Sequence, residues 1–475
     1  MSGLGASWSA DGAATAADQP AMAADGAAAG LVARLRGEVA ERLTARLRAD
    51  EEAGRARLGV EDQRRLARSL LAQALERQAG QALADGRPVL DLAQEERVAR
   101  QVLDALFGLG RLQPLLDDPE IENINANGCD QVFVRYADGR REPVDPIADS
   151  DAELVALLRA AASRLGIAER RFDLGTPSVN LRLPDGSRLF AVMAVAARPS
   201  LSIRRHRYQR LTLADEVRLG TLSPALRQVL AAAVRARRNL IICGDVGAGK
   251  TTLLRALAAE IPASERLVTI EDTLELGLER HPELHPDVVA LEARDANVEG
   301  HGRVTQAELV RWALRMSPDR VIVGEVRGEE LVPMLNAMSM GTNGSMCTLH
   351  AGGSGEAFGK LATYAIQAPE RLPLEATNLL VANAVHLVVF LDHDRASGRR
   401  QVTSVREVVG ADGAQVVSNE VFRPGRAGHA VPAAPLRTQT VGLLVQAGLD
   451  TRLLDPDGPW WATATGGNGA GEVGR

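Results

Sequence analysis

The spacing of hydrophobic residues changes along this chain, and each change predicts a different kind of structure. From residue 31 to 107, Leu and Val recur at intervals of three and four among Arg and Glu, which is typical of amphipathic helices. From 108 to 210, short alternating runs such as Gln131–Tyr136 and Leu201–Arg204 are separated by turn residues and by a helical stretch, Asp151–Leu165. We therefore predict an N-terminal helical region followed by a small α+β domain.

Short and continuous apolar runs characterise residues 222–461. Asn239–Cys243, Leu267–Ile270 and Arg320–Val323 each lack the polar alternation of a half-exposed strand, which indicates strands buried on both faces. Helical patterns lie between them, so the region is predicted to be an α/β domain with a parallel sheet. Residues 211–221 are predicted to be a linker between this domain and the preceding one.

The two ends of the chain differ in composition from the rest. Residues 1–30 are rich in Ala, Gly and Asp with few large apolar residues, and residues 462–475 are mostly Gly, Ala and Thr. We predict disorder for the first segment and a flexible tail for the second. No run of 18 apolar residues occurs, and the N-terminus lacks a basic segment, so neither a membrane span nor a secretory signal is predicted. These features predict a cytoplasmic protein.

The overall charge and the cysteine content exclude several functions. A net charge of −6 and an aromatic content of 3% argue against nucleic-acid binding through bulk positive charge or base stacking. The three cysteines, Cys129, Cys243 and Cys347, contain no C-x-x-C pair. A disulfide framework and a cysteine-based zinc site are therefore not expected, and a reducing compartment fits.

A phosphate-binding motif stands out because of one lysine. Of the 55 basic residues only two are lysines, and one of them, Lys250, closes the pattern G-x-x-x-x-G-K-T between a predicted strand and a predicted helix. Glycines let backbone N–H groups approach the phosphates, and a slim ammonium reaches the β- and γ-phosphates where a guanidinium would crowd the loop. The hydroxyl of Thr251 would bind Mg²⁺. The predicted nucleotide-binding residues here are Gly244, Asp245, Val246, Gly247, Ala248, Gly249, Lys250, Thr251 and Thr252.

Carboxylates follow two of the predicted strands. Glu271 and Asp272 end one strand, and Glu325 ends another in the sequence Val-Gly-Glu, which has the form of a Walker B element. Side chains at these strand ends can hold Mg²⁺ or orient the attacking water. Two alternatives stay open: Glu271 could simply be a solvated acid in a turn, and Arg327 could clamp either Glu325 or the γ-phosphate.

A histidine ends the polar segment 341–350. His350 could sense the γ-phosphate through a hydrogen bond. Taken alone, such a histidine is more often structural, and it is the neighbouring motifs that favour a functional role.

These four motifs, in this order, resemble those of the secretion ATPase superfamily of type II and type IV systems, and within it the chain most resembles the Tad (Flp) pilus assembly ATPases. Segments Arg303–Arg320, Leu183–Arg188 and Pro114–Pro119 carry the resemblance, which covers about residues 105–425. The four-cysteine metal motif of the type II secretion and type IV pilus extension ATPases is absent, which favours the Tad or the conjugation-type branch.

The resemblance implies an RecA-like ATPase domain in a homohexamer that uses ATP and Mg²⁺. Lys250 and Thr251 would bind phosphate and metal, and Glu271 and Glu325 would serve the metal and the water. His350 would couple to the γ-phosphate. Arginines of the N-terminal domain would also reach the phosphates, and the candidates are Arg188, Arg204 and Arg205.

The resemblance also implies partners and a location. The motor would act at the inner face of the cytoplasmic membrane on a polytopic platform protein, together with pilins or secretion machinery, and without direct contact to nucleic acid. Two other functions are weighed against this one. A nucleic-acid translocase on the same core is disfavoured by the composition, and a non-hydrolysing scaffold is disfavoured by the presence of Lys250 and Glu325.

Overall fold

A computed structural model describes residues 19–458, except 57, 137, 166–171, 206–210, 295, 297–299, 395–396, 427 and 456–457. The chain divides into two compact units, Met1–Arg205 and His206–Arg475. The predicted tail 462–475 and the first 18 residues of the predicted disordered segment lie outside the described residues. Among the described helices, none combines the length and the apolar character needed to cross a membrane.

Three long helices begin the first unit. They are α1 (Gln19–Glu52), α2 (Val60–Ala84) and α3 (Leu92–Phe107). Their apolar stripes pack together through buried residues such as Val39, Leu71 and Val102, as the spacing of three and four predicts. The predicted disorder is wrong for residues 19–30, which form the start of α1. Alanine has the highest helix propensity, so this Ala-rich segment can continue the packed helix toward the N-terminus.

The rest of the first unit is an α+β fold. Over the described residues, a six-stranded antiparallel sheet has the strand order β3-β2-β1-β6-β5-β4, and helix α5 packs on it through the buried residues Leu154 and Leu158. The elements are α4 (Gln113–Asp117), β1 (Ile121–Asn127), β2 (Val132–Tyr136), β3 (Arg141–Val144), α5 (Asp151–Leu165), β4 (Ser178–Arg182), β5 (Arg188–Val192) and β6 (Ser200–Arg204), with a 3-10 turn at Gly110–Leu112. Burial alternates along β2 and β4–β6, which explains the apolar and polar alternation in the sequence.

The second unit is built on a nine-stranded sheet, counted over its described residues. The strand order is β15-β14-β13-β12-β7-β11-β10-β8-β9. Strands β7–β12 run parallel, and β13–β15 extend the sheet in antiparallel pairs. The strands are β7 (Leu240–Gly244), β8 (Leu267–Glu271), β9 (Val288–Glu292), β10 (Arg320–Val326), β11 (Met346–Leu349), β12 (Leu387–Asp394), β13 (Arg399–Ala411), β14 (Val416–Pro424) and β15 (Ala430–Pro432).

Helices cover both faces of this sheet. The helices are α6 (Leu213–Arg218), α7 (Pro224–Arg235), α8 (Lys250–Ala258), α9 (Gln306–Ala313), α10 (Leu331–Ser339), α11 (Glu356–Gln367), α12 (Leu374–Ala384) and α13 (Thr438–Gln446), with 3-10 turns at Leu278–Arg280 and Thr451–Leu454. One core contains the buried residues of α7 and α8, and the other those of α9–α12. Every residue of β7, β8 and β11 is buried between them, so the α/β class predicted from continuous apolar runs is confirmed.

The strand order decides where a ligand can bind. Strand β7 lies between β11 and β12, and the chain leaves it toward β8 on the β11 side before β12 is added on the other side. In open parallel sheets, ligands bind at the carboxyl ends of the strands where the order reverses in this way. Gly244, Glu271, Glu325 and His350 all stand at the carboxyl ends of their strands.

The predicted linker, residues 211–221, contains a helix instead of an extended connection. Helix α6 begins at a capping box formed by Thr212 and Asp215, and Leu213 is completely buried in the core of the second unit. The Thr221 carbonyl accepts a hydrogen bond of 2.9 Å from the Val402 amide of β13. A helix of six residues is too short to show a periodic pattern in the sequence, which is why the prediction missed it.

Candidate functional site

The loop between β7 and α8 needs its glycines. A Cβ on Gly244 would lie 2.2 Å from the Leu391 carbonyl oxygen. Gly247 and Gly249 have φ angles of 79° and 99°, in the left-handed region that favours glycine. Of the other predicted loop residues, Ala248 is buried, whereas Asp245 and Val246 are exposed at the tip. The loop therefore holds a conformation in which backbone N–H groups can surround an anion at the N-terminus of α8.

The lysine of this loop is buried, and its ammonium group has three hydrogen-bond partners. Lys250 Nζ donates to the carbonyl oxygens of Gly244 and Asp245, both at 2.9 Å, and contacts His350 Nδ1 at 3.0 Å. Burial lowers the pKa of Lys250, and the nearby Glu325 carboxylate opposes this shift. In a nucleotide complex, phosphate oxygens would replace the two carbonyl oxygens as acceptors for the Lys250 ammonium.

The contact with Lys250 defines the protonation of His350. An ammonium can only donate, so Nδ1 must accept, and a neutral ring then carries its proton on Nε2. Nε2 lies in close contact with Glu325 Oε1. The two atoms are close but lack hydrogen-bond geometry, and Oε1 has no hydrogen-bond partner among the described residues. Burial lowers the pKa of His350 more strongly than the Glu325 carboxylate raises it, which agrees with a neutral ring near pH 7.

The other carboxylate oxygen of Glu325, Oε2, accepts a hydrogen bond from an arginine. Arg327 Nε donates to Glu325 Oε2 at 2.7 Å, and the same guanidinium lies 3.9 Å from Asp272. Of the two roles considered for Arg327, the structure shows the clamp on Glu325. A contact with the γ-phosphate stays a prediction. Lys250, His350, Glu325 and Arg327 thus form one continuous chain of contacts across the carboxyl ends of β7, β11 and β10.

Glu271 ends β8, the strand next to β10, and is almost completely buried. Its Oε1 accepts hydrogen bonds of 2.9 Å from the amides of Glu275 and Leu276, and its Oε2 has no partner among the described residues. A Cβ on Gly324 would lie 2.9 Å from Glu271 Cγ, so the glycine before Glu325 makes room for this side chain. Burial raises the pKa of Glu271 to about 8. In this geometry Glu271 organises the turn after β8, and its predicted catalytic and metal-binding roles stay predictions.

The high pKa of Glu271 predicts a pH effect on stability. In the unfolded chain this carboxyl ionises near its ordinary pKa of 4.5, whereas in the folded protein it resists ionisation up to about pH 8. The contribution of Glu271 to the free energy of unfolding is therefore complete below pH 4.5 and is lost as the pH rises toward 8, by an amount on the order of 4 kcal/mol. Glu271→Gln keeps the oxygen acceptor and removes the titration.

We expect this variant to lose most of that pH dependence and to have a higher unfolding temperature than the wild type at pH 8. Thermal unfolding from pH 5 to 9 measures both, with Glu375→Gln on the exposed face of α12 as the control. Parallel curves for the wild type and Glu271→Gln would contradict the burial argument.

The arginines predicted to reach the phosphates lie in the first unit. Arg188 begins β5, where its Nε donates to Asn180 Oδ1 at 3.3 Å, and Arg204 ends β6 with its side chain exposed. Arg205 is held by its own domain, because its guanidinium donates to the carbonyl oxygens of Asp118 and Ile121. Arg188 and Arg205 thus already have hydrogen-bond partners in their own domain, and the phosphate contacts of all three arginines stay predictions.

The residues around the loop fit a magnesium ion that arrives with its nucleotide. Thr251 and Thr252 stand half-buried in the first turn of α8. The described residues contain no group of three His, Cys, Asp or Glu side chains that could hold a metal ion alone. Mg²⁺ prefers few protein ligands together with substrate phosphates and water, so the Thr251 hydroxyl and the Glu325 carboxylate suit it.

Part of the polar segment before His350 lies at the opposite end of the sheet. Residues 341–345 precede β11 and therefore stand at the amino ends of the parallel strands. There the Asn239 side chain accepts from the amides of Gly344 and Ser345 and donates to the carbonyls of Met338 and Ala384. Only His350, after β11, reaches the phosphate loop, and the polar residues before the strand stabilise the fold.

Comparisons with known proteins identify a family. The family model described as "Type II/IV secretion system protein" matches residues 107–429. A Mycobacterium tuberculosis protein whose name assigns it provisionally to conjugal transfer is 38% identical over 65% of this chain and 86% of its own length. The type IV secretion system protein VirB11 of Brucella suis is 31% identical over 63% of this chain and 88% of its own length.

Two solved structures are also similar. The VirB11 ATPase of the Brucella suis type IV secretion system, in complex with sulphate, is 30% identical and covers 66% of this chain and 96% of its own, with a TM-score of 0.34. The Legionella pneumophila ATPase DotB is 19% identical over 65% of this chain and 82% of its own, with a TM-score of 0.46. The family match spans both the α+β fold of the first unit and the phosphate loop of the second. This chain therefore belongs to the type II/IV secretion system protein family, and it is an ATPase of that family.

Proposed function

We propose that this ATPase is a homohexameric motor that powers assembly of a Tad (Flp) pilus, or a related type II/IV secretion process, from the cytoplasmic face of the membrane. The observation that carries the proposal is the contact chain Lys250–His350–Glu325. It connects the phosphate-binding lysine to the carboxylate that would activate water, and such a connection suits a protein that must couple nucleotide state to movement.

Each member of the chain has a separate task in hydrolysis. Lys250 neutralises charge on the β- and γ-phosphates. Glu325 accepts a proton from the attacking water as a general base, and Arg327 holds its Oε2 so that Oε1 faces the site. When bound through Thr251, Glu325 and the phosphates, Mg²⁺ would supply further charge stabilisation to the transferred phosphoryl group.

His350 gives the site two states. Without nucleotide its neutral ring accepts from Lys250 and faces Glu325. A γ-phosphate that engages Lys250 removes the donor from Nδ1, so the ring must find a new partner, and the γ-phosphate is one within the reach of Nε2–H. The ring therefore contacts different groups before and after hydrolysis, and β11 would pass this change to the rest of the domain.

Two observations support the Tad proposal: the first favours the Tad or the conjugation-type branch over the rest of the family, and the second suits the Tad branch better. The three cysteines, Cys129, Cys243 and Cys347, lie far apart in the sequence and are all buried as free thiols, so the four-cysteine metal motif of other branches has no counterpart here. Helices α1–α3 add an N-terminal extension, which lies almost entirely before the region matched by the family model. The names of the relatives point to type IV secretion and conjugal transfer, which is the nearest alternative.

The proposal is tested with the purified full chain. We expect Mg²⁺-dependent ATP hydrolysis, a mass in solution of six subunits when nucleotide is present, and faster turnover after reconstitution with a polytopic pilus platform protein in vesicles. Stimulation by a type IV secretion channel protein instead would indicate the conjugation-type branch. Stimulation by single- or double-stranded DNA would favour the translocase, and ATP binding without turnover under every condition would favour the scaffold.

A further inference from the structure

An arginine that no motif contains lies beside the phosphate loop. Strand β12 pairs with β7 so that Leu391 stands opposite Gly244, and β12 then continues beyond the end of β7. Strand β13 returns antiparallel to this extension and places Arg400 opposite His393. The β12–β13 ribbon therefore flanks the loop at the carboxyl edge of the sheet, where a nucleotide binds.

The side chain of Arg400 reaches the loop itself. Its Cδ atom lies 3.6 Å from the position that a Cβ on Gly249 would occupy. Gly249 directly precedes Lys250 and caps the N-terminus of α8, so the arginine stem packs against the loop where the helix begins, on the side that also faces Leu391 of β12. The Arg400 side chain is exposed, and among the described residues it makes no hydrogen bond or ion pair.

One buried carboxyl group interacts electrostatically with Arg400. Glu216 on α6 is 2% exposed, and its Oε1 has no hydrogen-bond partner among the described residues. Burial raises the pKa of Glu216, and the charge of Arg400 opposes that shift. Arg400 could thus serve as a distant counter-charge for Glu216, and a test of any other role must separate the two.

The sheet order indicates which part of a nucleotide Arg400 faces. The hydrolytic side chains Glu325 and His350 follow β10 and β11, which lie on one side of β7. Arg400 lies on the other side, next to β12. The γ-phosphate must point toward Glu325 and His350 to be hydrolysed, so the α-phosphate end of an extended triphosphate leaves the loop on the flank of β12.

We propose that Arg400 is a nucleotide-binding residue whose guanidinium contacts the α-phosphate end of the nucleotide, the part that ADP and ATP share. A guanidinium binds phosphate oxygens through two parallel N–H groups and stays charged at every physiological pH. The proposal rests on a nucleotide occupying the loop Gly244–Thr251. It assigns Arg400 to affinity for the nucleotide and not to the hydrolytic step.

The experiment compares Arg400→Ala with Arg399→Ala in the full chain. Arg399 precedes Arg400 on the same strand, so it points to the opposite face, and its Nε lies 3.2 Å from Ser397 Oγ. Calorimetric titration with MgADP and with a non-hydrolysable MgATP analogue gives the two Kd values. For Arg400→Ala we expect both to rise about ten-fold, as for one lost charge-assisted contact, and KM to rise similarly with less than a two-fold change in kcat. Both Kd values of Arg399→Ala should stay within about two-fold of the wild type.

Other outcomes would overturn the inference in distinguishable ways. Unchanged Kd values for Arg400→Ala would exclude the contact, and a loss confined to the ATP analogue would place Arg400 at the γ-phosphate instead. Unchanged Kd values with a lower unfolding temperature, restored when Glu216→Gln is added to Arg400→Ala, would identify a structural counter-charge. If the wild type bound nucleotide no better than Lys250→Ala, the nucleotide site itself, and with it this proposal, would be wrong.

Discussion

Glu325→Gln is expected to lower kcat for ATP hydrolysis at least about 100-fold while the protein still binds ATP. Glutamine has nearly the same shape and keeps an oxygen for Arg327, but its amide cannot take a proton from the attacking water. Lys250 and the glycine loop are untouched, so the Kd for MgATP should change by less than about three-fold. Steady-state phosphate release and calorimetric titration measure the two quantities on the same sample.

A glutamate that follows β10 provides a matched control for Glu325→Gln. Glu329→Gln makes the same chemical change in a half-buried side chain outside the Lys250–His350–Glu325 chain and should retain wild-type turnover. If Glu325→Gln hydrolysed ATP at the wild-type rate, the assignment of the general base would be wrong. A loss of ATP binding in this variant would show that Glu325 acts mainly by holding His350 and Lys250 in place.

Lys250→Ala is expected to weaken binding of MgATP and MgADP at least about 100-fold, so that turnover is lost at ordinary nucleotide concentrations. The lysine is the one cation inside the loop, and its three hydrogen bonds show that the site is shaped around an ammonium. Lys250→Arg should fail as well, because a planar guanidinium is wider than the compact ammonium that these three close contacts surround. Titration with each nucleotide measures the loss directly.

The scarcity of lysine supplies a control for this result. Lys360 on α11 is the only other lysine, and its ammonium lies 5.0 Å from the centre of the Tyr364 ring at an exposed position. Lys360→Ala should bind nucleotide like the wild type. Mild acetylation followed by mass spectrometry adds a second readout, since MgATP should protect Lys250 and leave Lys360 reactive. Equal affinity in Lys250→Ala and the wild type would exclude the loop as the nucleotide site.

The fold could be predicted from the sequence wherever one physical cause dominates. Burial on both faces requires continuous apolar runs, so β7, β8 and β10 were identifiable, and the glycines and lysine of the loop have few physical alternatives. The short helix α6 was missed because six residues are too few to show a helical period in the sequence. The helical start of α1 was missed because a segment poor in large apolar residues was interpreted as disordered although alanine favours helix.

In the candidate site, too, some features could be predicted from the sequence and others could not. Its members were predicted separately, but their mutual contacts were not, because Lys250 and His350 follow β7 and β11, and the order of these strands in the sheet has no local signal. Glu271 resembled a metal ligand in the sequence, whereas burial gives it a pKa of about 8. Burial depends on every neighbour that excludes water, and a local pattern does not contain those neighbours.

The sequence by itself determined the phosphate loop, the strands that carry the catalytic candidates and membership of the family, because these depend on backbone conformation and local patterns of burial. Only the tertiary structure decided that Lys250 contacts His350 and His350 contacts Glu325, that residues 341–345 lie away from the site, and that Arg400 flanks the loop. The physical reason is that strand order and pairing bring together residues far apart in the chain, and proximity sets their charge and hydrogen bonding.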